Sequence, residues 1–396
     1  MNKIKFIPLE KSRPKVAEAT RSKRGRSLTG FIPYGRQTVD NDDIKAVVKV
    51  LRSDWLTQGP AVKQFEESLA KYCNAKYAVA VSTGTSALHL AYLAAGLGSG
   101  DEVITTPNTF AATSNMLLAV GAKPVFCDIR LDNHNIDESK IEKLITPRTK
   151  AIIPVHFAGH PCEMDKIMDI AQRHNLLVIE DACHALGASY KNRRIGSIGD
   201  MSVFSFHPVK SITTGEGGAI LTNDPELYKK LAHMRTHGIT KDEKGFNVMT
   251  ALGYNYRITD IQTALGTSQL KKLDKFIKAR QQIFTHYKKQ LANLKDVITP
   301  CIVKGIVSAN HLFIIRTKDP AKRDALANFL KQNGIGVNFH YPAVYSHPYY
   351  RQNGYKDLVL KNTDIYHNSC ITLPIYVTLK KEQTKFVCDK IKEFFA

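Results

Sequence analysis

One lysine stands where a lysine could do covalent chemistry. Lys210 follows the apolar run "MSVFSF" (201–206) and precedes the glycine-rich run "TGEGG" (214–218), so it comes at the end of a predicted buried strand. A lysine held in such a pocket loses its proton readily and can form a Schiff base with a carbonyl group. One lysine among 56 Lys and Arg residues decides nothing alone. The glycines are not a phosphate-binding loop, because the GK[ST] ending is absent.

A second set of polar residues opens a predicted helix. After the predicted strand "YAVAV" (77–81) comes "STGTSAL" (82–88), in which Gly84 permits a tight turn and Thr85 and Ser86 offer hydroxyl groups beside free main-chain N–H groups. Such a helix start is a ready anion site and would suit a phosphate. Serine and threonine also favour helix starts as simple N-caps, and this motif alone leaves both interpretations open.

An acidic residue follows another predicted strand. Asp181 ends the run "LLVIED" (176–181), and His184 comes three residues later. A carboxylate at the end of an apolar strand is expected to be partly buried, and a buried carboxylate needs a partner. That partner could be a ligand, but a helix cap or a structural ion pair would also satisfy the carboxylate.

The three sites together are more specific than any one of them. A phosphate cradle, an acid and a lysine, each at a strand end, are the parts that hold pyridoxal phosphate (PLP). The phosphate would lie on the helix start, Asp181 would face the pyridinium nitrogen, and Lys210 would form the Schiff base. Phe110, in "TTPNTFAATSN" (105–115), offers an aromatic face for the cofactor ring.

The elements that must position these residues alternate along the chain. Helical stretches such as "SALHLAYLAAG" and "EMDKIMDIAQRH" separate short apolar runs, and this alternation predicts an α/β fold with a parallel sheet covered on both faces. Two further strands, 201–206 and 218–223, have no helix between them, which predicts an antiparallel or edge excursion. The predicted parallel strands are 77–81, 102–106, 124–129, 150–156 and 176–181.

Composition changes divide the chain into three predicted parts. Residues 1–30 are basic and poor in large apolar side chains, which indicates a disordered arm. Residues 31–275 carry the strand–helix alternation and would form a large cofactor-binding domain. The pattern of residues 276–396 predicts a strand–helix–strand order followed by an amphipathic helix (379–395). This order is typical of a smaller α+β domain.

Several classes of protein are excluded by the bulk sequence. No run of 18 apolar residues and no apolar signal core is present, so we expect neither a membrane partner nor export, and the cytoplasm is the expected location. The seven cysteines are scattered without a C-x-x-C pair, which argues against a zinc site and a disulfide framework. We therefore expect no metal.

The net charge of +20 permits two interpretations. Residues 1–30 hold nine Lys or Arg against two Glu, which is +7 of that total, and the remaining excess is spread along helical faces. Such a field could attract a nucleic acid or a membrane surface. It is also typical of a solvated lysine-rich surface, and we expect no nucleic-acid partner on that ground. A phosphate-bearing substrate would be favoured by the same field.

Six motifs, in order, resemble one enzyme family. The chain from about Ile32 to the C-terminus is similar to the DegT/DnrJ/EryC1/StrS sugar aminotransferases, which have the fold type I architecture of aspartate aminotransferase: a large domain with a mainly parallel sheet and a smaller C-terminal domain. The motifs are "SDWLTQGP" (53–60), "STGTSAL" (82–88), "TTPNTFAATSN" (105–115), "VIEDACHALGA" (178–188), "FSFHPVKSITTGEGGA" (204–219) and "LGYNYRITDIQTALG" (252–266).

The resemblance implies roles for matching residues. Lys210 would bind PLP and carry the proton, Asp181 would pair with the pyridine nitrogen, and His184, where many relatives carry Gln, would lie near the phenolic oxygen. The remaining cofactor contacts would be Phe110 on the ring, Thr85, Ser86 and Ser205 on the phosphate, and Asn255 on the phosphate of a partner subunit, which implies a homodimer with shared active sites. The segment around His237, and the aromatic cluster 338–350 with His340 and Tyr341, would lie near the substrate.

The resemblance also implies a reaction. It would transfer an amino group from glutamate, through PMP, to C4 of a UDP-linked 4-keto-6-deoxy-N-acetylhexosamine, a step in nucleotide-sugar biosynthesis for surface glycans. Open alternatives are a UDP- or dTDP-4-keto-6-deoxyglucose or a 3-keto sugar as substrate, and a non-catalytic nucleic-acid-binding or regulatory protein. A PLP-dependent sugar dehydratase is disfavoured, since Lys210 is present and no cysteines are clustered.

Overall fold

The computed structural model describes residues 30–301 and 303–396. Apart from Gly30, the predicted arm of residues 1–30 lies outside this part of the chain. Residues 31–396 form one compact unit. The helices are α1 (Asn41–Leu51), α2 (Pro60–Cys73), α3 (Gly84–Ala94), α4 (Ala112–Ala119), α5 (Glu138–Ile141), α6 (Met164–His174), α7 (Pro225–Met234), α8 (Asp260–Leu270), α9 (Leu273–Leu291), α10 (Lys322–Gln332), α11 (Pro348–Tyr350), α12 (Lys361–Ser369) and α13 (Lys381–Phe395).

The strands form four sheets. The largest has seven strands in the order β1-β9-β8-β5-β4-β2-β3, and a three-stranded sheet has the order β12-β14-β15. The strands are β1 (Tyr77–Val81), β2 (Glu102–Thr105), β3 (Lys123–Phe126), β4 (Thr149–Ile153), β5 (Leu177–Asp181), β6 (Ser189–Tyr190), β7 (Arg193–Arg194), β8 (Met201–Ser205), β9 (Gly218–Thr222), β10 (Ile239–Lys241), β11 (Asn247–Met249), β12 (Val297–Ile298), β13 (Ile306–Val307), β14 (Phe313–Thr317) and β15 (Cys370–Leu373).

The large sheet is mainly parallel, as predicted. β3, β2, β4, β5 and β8 pair in parallel, whereas β9 pairs antiparallel with both β8 and β1. The antiparallel part of the prediction for residues 218–223 is confirmed, and the edge alternative is wrong. The strand β9 lies inside the sheet because its apolar side chains are buried on both faces, and β1 takes the edge.

Two cores cover the two faces of the large sheet. Side chains alternate along a strand, so Ala78 and Ala80 of β1 face a core with α2 and α6, while Val79 and Val81 face a core with α3 and α7. The same alternation separates the other strands, which is why their sequences are mostly apolar. The carboxyl ends of β5 and β8 therefore reach one edge of a sheet that is fixed from both sides.

A third core lies on the three-stranded sheet. Phe313, Ile315, Ile371 and Leu373 of β14 and β15 pack with apolar side chains of α9, α10 and α13. The predicted boundary after residue 275 falls inside α9, whose start packs with the large-sheet core and whose later turns pack with this third core. The division into domains 31–275 and 276–396 stays a proposal.

Candidate active site

A cavity of about 620 Å³ lies at the carboxyl end of the parallel strands. Its wall includes eight of the predicted site residues: Thr85, Phe110, Asp181, His184, Ser205, Lys210, His340 and Tyr341. They come from segments more than 250 residues apart in sequence. Carboxyl ends of parallel strands are where open α/β sheets bind ligands, and the volume is that of an ordinary small-molecule site.

Lys210 lies on the loop that joins β8 to β9. The main-chain N–H group of Lys210 donates to the His207 carbonyl oxygen at 2.9 Å, which fixes the turn that carries the lysine. Burial lowers the pKa of the Lys210 ammonium below its ordinary value. A larger fraction of neutral amine is what a nucleophilic lysine requires.

Two glycines, Gly218 after Lys210 and Gly84 at the start of α3, allow close backbone packing at the site. A β-carbon on Gly218, the first residue of β9, would lie 2.5 Å from the Thr83 carbonyl oxygen at the start of α3. A β-carbon on Gly84 would lie 2.9 Å from the Ser205 β-carbon. Glycine at both positions therefore lets the ends of β8 and β9 lie directly against the helix start, and it places the Ser205 hydroxyl there.

The start of α3 is partly used for its own cap. The Thr83 hydroxyl accepts a hydrogen bond from the Ser86 N–H group at 3.0 Å, and the Ser86 hydroxyl donates to the Thr83 carbonyl oxygen at 2.8 Å. Ser86 is buried in this capping box and is not in the cavity wall. The N–H groups of Gly84 and Thr85 lie in the first turn, where a helix cannot pair them itself. They, with the hydroxyls of Thr85 and Ser205, suit a phosphate.

Asp181 ends β5 and is 5% exposed. The Thr113 hydroxyl donates to Asp181 Oδ2 at 2.6 Å, and the Cys183 N–H group donates to Oδ1 at 3.2 Å. Thr109 contacts the Thr113 hydroxyl oxygen at 2.7 Å. Because the Thr113 hydrogen is directed to Asp181, Thr109 is the donor in that contact. The carboxylate is therefore held in one orientation by groups from two segments, residues 109–113 and Cys183.

Histidine and tyrosine side chains form the opposite wall. The buried His184 ring is paired through Nε2 with the Tyr341 hydroxyl at 3.2 Å, and its Nδ1 atom has no partner among the described residues. Burial, and then the Lys210 and His340 charges, hold the His184 pKa well below its ordinary value. His340 is buried and pairs through Nδ1 with the Thr372 hydroxyl at 2.8 Å. Phe110 is exposed at the mouth of the cavity.

Two predicted site residues lie away from this cavity. His237 and Asn255 are both exposed, on neighbouring backbone segments: the His237 N–H group donates to the Tyr254 carbonyl oxygen at 2.9 Å, and Asn255 is bridged to Thr236. Neither residue is among those that line the cavity. Their assigned roles, in the substrate site and on a partner's cofactor, stay predictions.

Sequence reasoning missed three residues of the wall. Thr109 and Thr113 are four residues apart in a motif that was chosen for Phe110, and the bend before α4 brings their hydroxyl groups into contact. His311 lies just before β14 and was not singled out, although it is buried and lines the cavity. The sequence "NHLFIIRT" (310–317), a polar pair before an apolar strand, is the pattern that would have indicated it.

The family match covers almost the whole described chain. The DegT/DnrJ/EryC1/StrS aminotransferase family matches residues 37–392. The chain belongs to this family. A transaminase of Campylobacter jejuni, UDP-4-amino-4,6-dideoxy-N-acetyl-beta-L-altrosamine transaminase, is 40% identical over 366 residues, which are 91% of this chain and 96% of that protein.

Solved structures agree with the family. Helicobacter pylori PseC, an aminotransferase involved in the biosynthesis of pseudoaminic acid, has a TM-score of 0.89 and 35% identity, with 92% of this chain and 99% of that chain covered. The PLP form of the sugar aminotransferase Spr1654 from Streptococcus pneumoniae has a TM-score of 0.88 and 29% identity, with 92% and 98% covered. The predicted fold type I architecture is confirmed.

The residues present fit PLP. A primary amine, a buried carboxylate, an aromatic side chain and a helix start converge on one cavity, and no group of acidic, histidine or cysteine side chains among residues 30–301 and 303–396 is arranged to hold a metal ion. The chain is a PLP-dependent sugar aminotransferase. The predictions of an enzyme and of its cofactor are therefore confirmed, and the alternative of a non-catalytic protein is wrong. No helix of these residues is long and apolar enough to cross a membrane.

Proposed function

We propose that this aminotransferase transfers an amino group from glutamate to C4 of a UDP-linked 4-keto-6-deoxy-N-acetylhexosamine, in the biosynthesis of pseudaminic acid or a related surface sugar such as a component of lipopolysaccharide. The convergence of Lys210, Asp181 and the α3 start on one cavity supports the amino-transfer chemistry. The substrate is supported by the named activity of the Campylobacter jejuni relative, which is 40% identical to this chain.

Each wall residue has a defined task in this proposal. When bound, PLP supplies an aldehyde carbon that takes up an amine and a ring that withdraws electrons. The Lys210 Nζ atom would hold the cofactor covalently at rest, and once the incoming amine has displaced it, the free Lys210 amine would carry the proton. Asp181 stabilises a proton at the ring nitrogen, because a fixed buried carboxylate favours the positively charged ring.

The other residues orient the reactants. Thr85, Ser205 and the free N–H groups of α3 hold the phosphate, and Phe110 covers one face of the ring. His184, kept neutral by burial, donates or accepts a hydrogen bond near the phenolic oxygen. His340 and Tyr341 would contact the sugar, a role supported by their place in the lining of the same cavity.

We further propose that the active enzyme is a homodimer with shared sites. The surface that carries His237 and Asn255 also carries four exposed apolar side chains on and beside the β10–β11 hairpin, namely Ile239, Phe246, Met249 and Leu252. A cluster of this kind is typical of a protein–protein interface. Asn255 would then reach the phosphate in the partner's cavity.

The expected location is the cytoplasm. The seven free thiols suit this reducing compartment.

A product analysis tests the substrate. The protein is incubated with PLP, glutamate and a panel of sugars: UDP-4-keto-6-deoxy-N-acetylhexosamines, UDP- and dTDP-4-keto-6-deoxyglucose, and a 3-keto sugar. NMR of the product identifies the aminated carbon. Amination at C4 of an N-acetylated UDP-sugar supports the proposal. Preferential turnover of a sugar without the N-acetyl group, or amination at C3, contradicts it.

A further inference from the structure

His311 is a buried histidine in the wall of the candidate site. It lies just before β14, it is 4% exposed, and it lines the cavity that contains Lys210. Its Nδ1 atom has no hydrogen-bond partner among the described residues. A buried polar atom without a partner costs free energy unless a ligand or water satisfies it. The side chain is thus placed for a ligand.

The His184 ring lies beside His311. The two ring centroids are 4.5 Å apart, and the His184 Nδ1 atom is also without a partner among residues 30–301 and 303–396. Burial is the main cause that holds the His311 pKa well below its ordinary value, and the His184, Lys210, Arg280 and His340 charges add to it. The two rings are therefore neutral, and each can offer an N–H donor to an anion in the cavity.

Arg280 supplies a fixed charge behind this wall. It is 2% exposed and donates through one guanidinium nitrogen to the carbonyl oxygens of His311, at 3.2 Å, and Ile375, at 3.0 Å. No salt bridge to Arg280 is found in the described part of the chain. Burial lowers the pKa of its guanidinium to about 10, so the group keeps its charge at neutral pH.

The acids that line the cavity do not form a salt bridge with Arg280. Of the acidic residues that line it, Asp181 is already held by Thr113 and Cys183, and Glu216 is exposed at the mouth. A buried cation without a counter-ion is costly unless an anion is bound during function. The wall formed by His184, His311 and the Arg280 charge therefore indicates an anion subsite beside Lys210.

We propose that His311 binds the carboxylate of the amino-acid donor. This inference rests on the proposed function, because it assumes a donor at this site. The amino group of a donor must reach the cofactor carbon that Lys210 would bind. The α-carboxylate of the donor is one carbon away from that amino group. The sugar instead carries hydroxyls around its reacting carbon and its diphosphate several bonds away. The cofactor phosphate is accommodated separately, by α3 and Ser205.

The test measures binding of glutarate, a dicarboxylate that resembles glutamate but cannot react. Calorimetry is done on the PLP-loaded wild type and on His311→Phe, which keeps an aromatic ring beside His184 but removes the polar atoms. His311→Gln restores a hydrogen-bonding group. The matched control is His286→Phe: His286 also has an unpartnered ring nitrogen, but it lies on α9 outside the cavity lining. Circular dichroism checks folding, and His311→Leu replaces His311→Phe if that variant misfolds.

We expect glutarate to bind about 10-fold more weakly to His311→Phe than to the wild type, since one hydrogen bond to a charged group is lost. His311→Gln should recover most of that loss, His286→Phe should match the wild type, and kcat/KM for the keto sugar, which reports only the second half-reaction, should stay unchanged in all of them. Equal glutarate affinity in His311→Phe and the wild type, no glutarate binding to the wild type, or a loss confined to the sugar would overturn the inference.

A separate measurement distinguishes the inference from the proposed function. Wild-type protein with PLP is mixed with glutamate alone, and the visible absorbance of the lysine-bound cofactor is followed. If glutamate and other amino acids leave the band unchanged, the proposed function fails, and the inference fails with it. If glutamate discharges the band equally well in the wild type and in His311→Phe, only the inference fails. Slower discharge that saturates at higher glutamate concentration in His311→Phe supports both.

Discussion

Lys210 and Asn255 are assigned by resemblance to the same kind of cofactor, yet the structure places them in different environments. Lys210 lies in a cavity with Asp181 and Thr85, whereas Asn255 lies on an exposed surface beside His237 and a group of exposed apolar side chains. The cavity contains the parts that one chain can supply from its own strand ends. The exposed surface has a role in the same chemistry only if a second chain brings it to a cavity.

The largest expected effect is at the amine of the cavity. Lys210→Ala should lower turnover by about 10³-fold or more, because both the covalent link to PLP and the proton carrier are lost. The measurement is the steady-state rate together with the visible absorbance of the lysine-bound cofactor. Lys229→Ala, at an exposed lysine on α7, is the control and should behave as the wild type. Substantial turnover by Lys210→Ala would remove the lysine from the mechanism.

Asp181→Asn should have the next largest effect. The neutral amide cannot stabilise a proton at the ring nitrogen, so turnover should fall by about 10²- to 10³-fold while PLP remains bound. Cofactor content is measured by absorbance after gel filtration, and rates are measured on the loaded protein. Asp128→Asn is the matched control, since Asp128 is a buried carboxylate hydrogen-bonded to Thr363 outside the cavity lining. Near-normal rates in Asp181→Asn would assign this task to another group.

A smaller effect is expected one contact further from the cofactor. Thr113→Val removes the 2.6 Å hydrogen bond to Asp181 and should reduce turnover by about 10-fold, because the bond to a charged group is lost. Thr113→Ser should restore most of the rate, as expected of a positioning residue. Thr105→Val is the control, because Thr105 is a buried threonine whose hydroxyl donates only to the Ile153 carbonyl oxygen. Equal losses in the two valine variants would mean that Thr113 contributes only to stability.

The exposed surface is tested by mixing two damaged chains. Lys210→Ala and Asn255→Ala proteins are denatured together and refolded, which makes about half of the dimers mixed. In a shared site each mixed dimer contains one intact active site, so the activity should recover to about a quarter of the wild-type value. The control is each variant refolded alone. An absence of recovery would mean that Asn255 acts inside its own chain, or not at all.

Much of the fold could be predicted because the strands of a doubly covered sheet are mostly apolar. The ends of β5 and β8, and hence Asp181 and Lys210, follow directly from those runs. The position of β9 between β8 and β1 could not be predicted, since strand order depends on contacts across the sheet. The pairing of Thr113 with Asp181 across 68 residues also depends on tertiary contacts, whereas the Ser86 cap is a local contact with Thr83 that the sequence permitted.

Lys210, on the loop that follows β8, is expected to bind the cofactor covalently through its amine. PLP-loaded wild-type protein is reduced with borohydride, digested, and analysed by mass spectrometry. We expect the reduced cofactor on the peptide that contains Lys210, at about one cofactor per chain, and we expect prior addition of glutamate to prevent the labelling. Labelling of any other lysine, or a fully loaded protein that gives no labelled peptide, would contradict it.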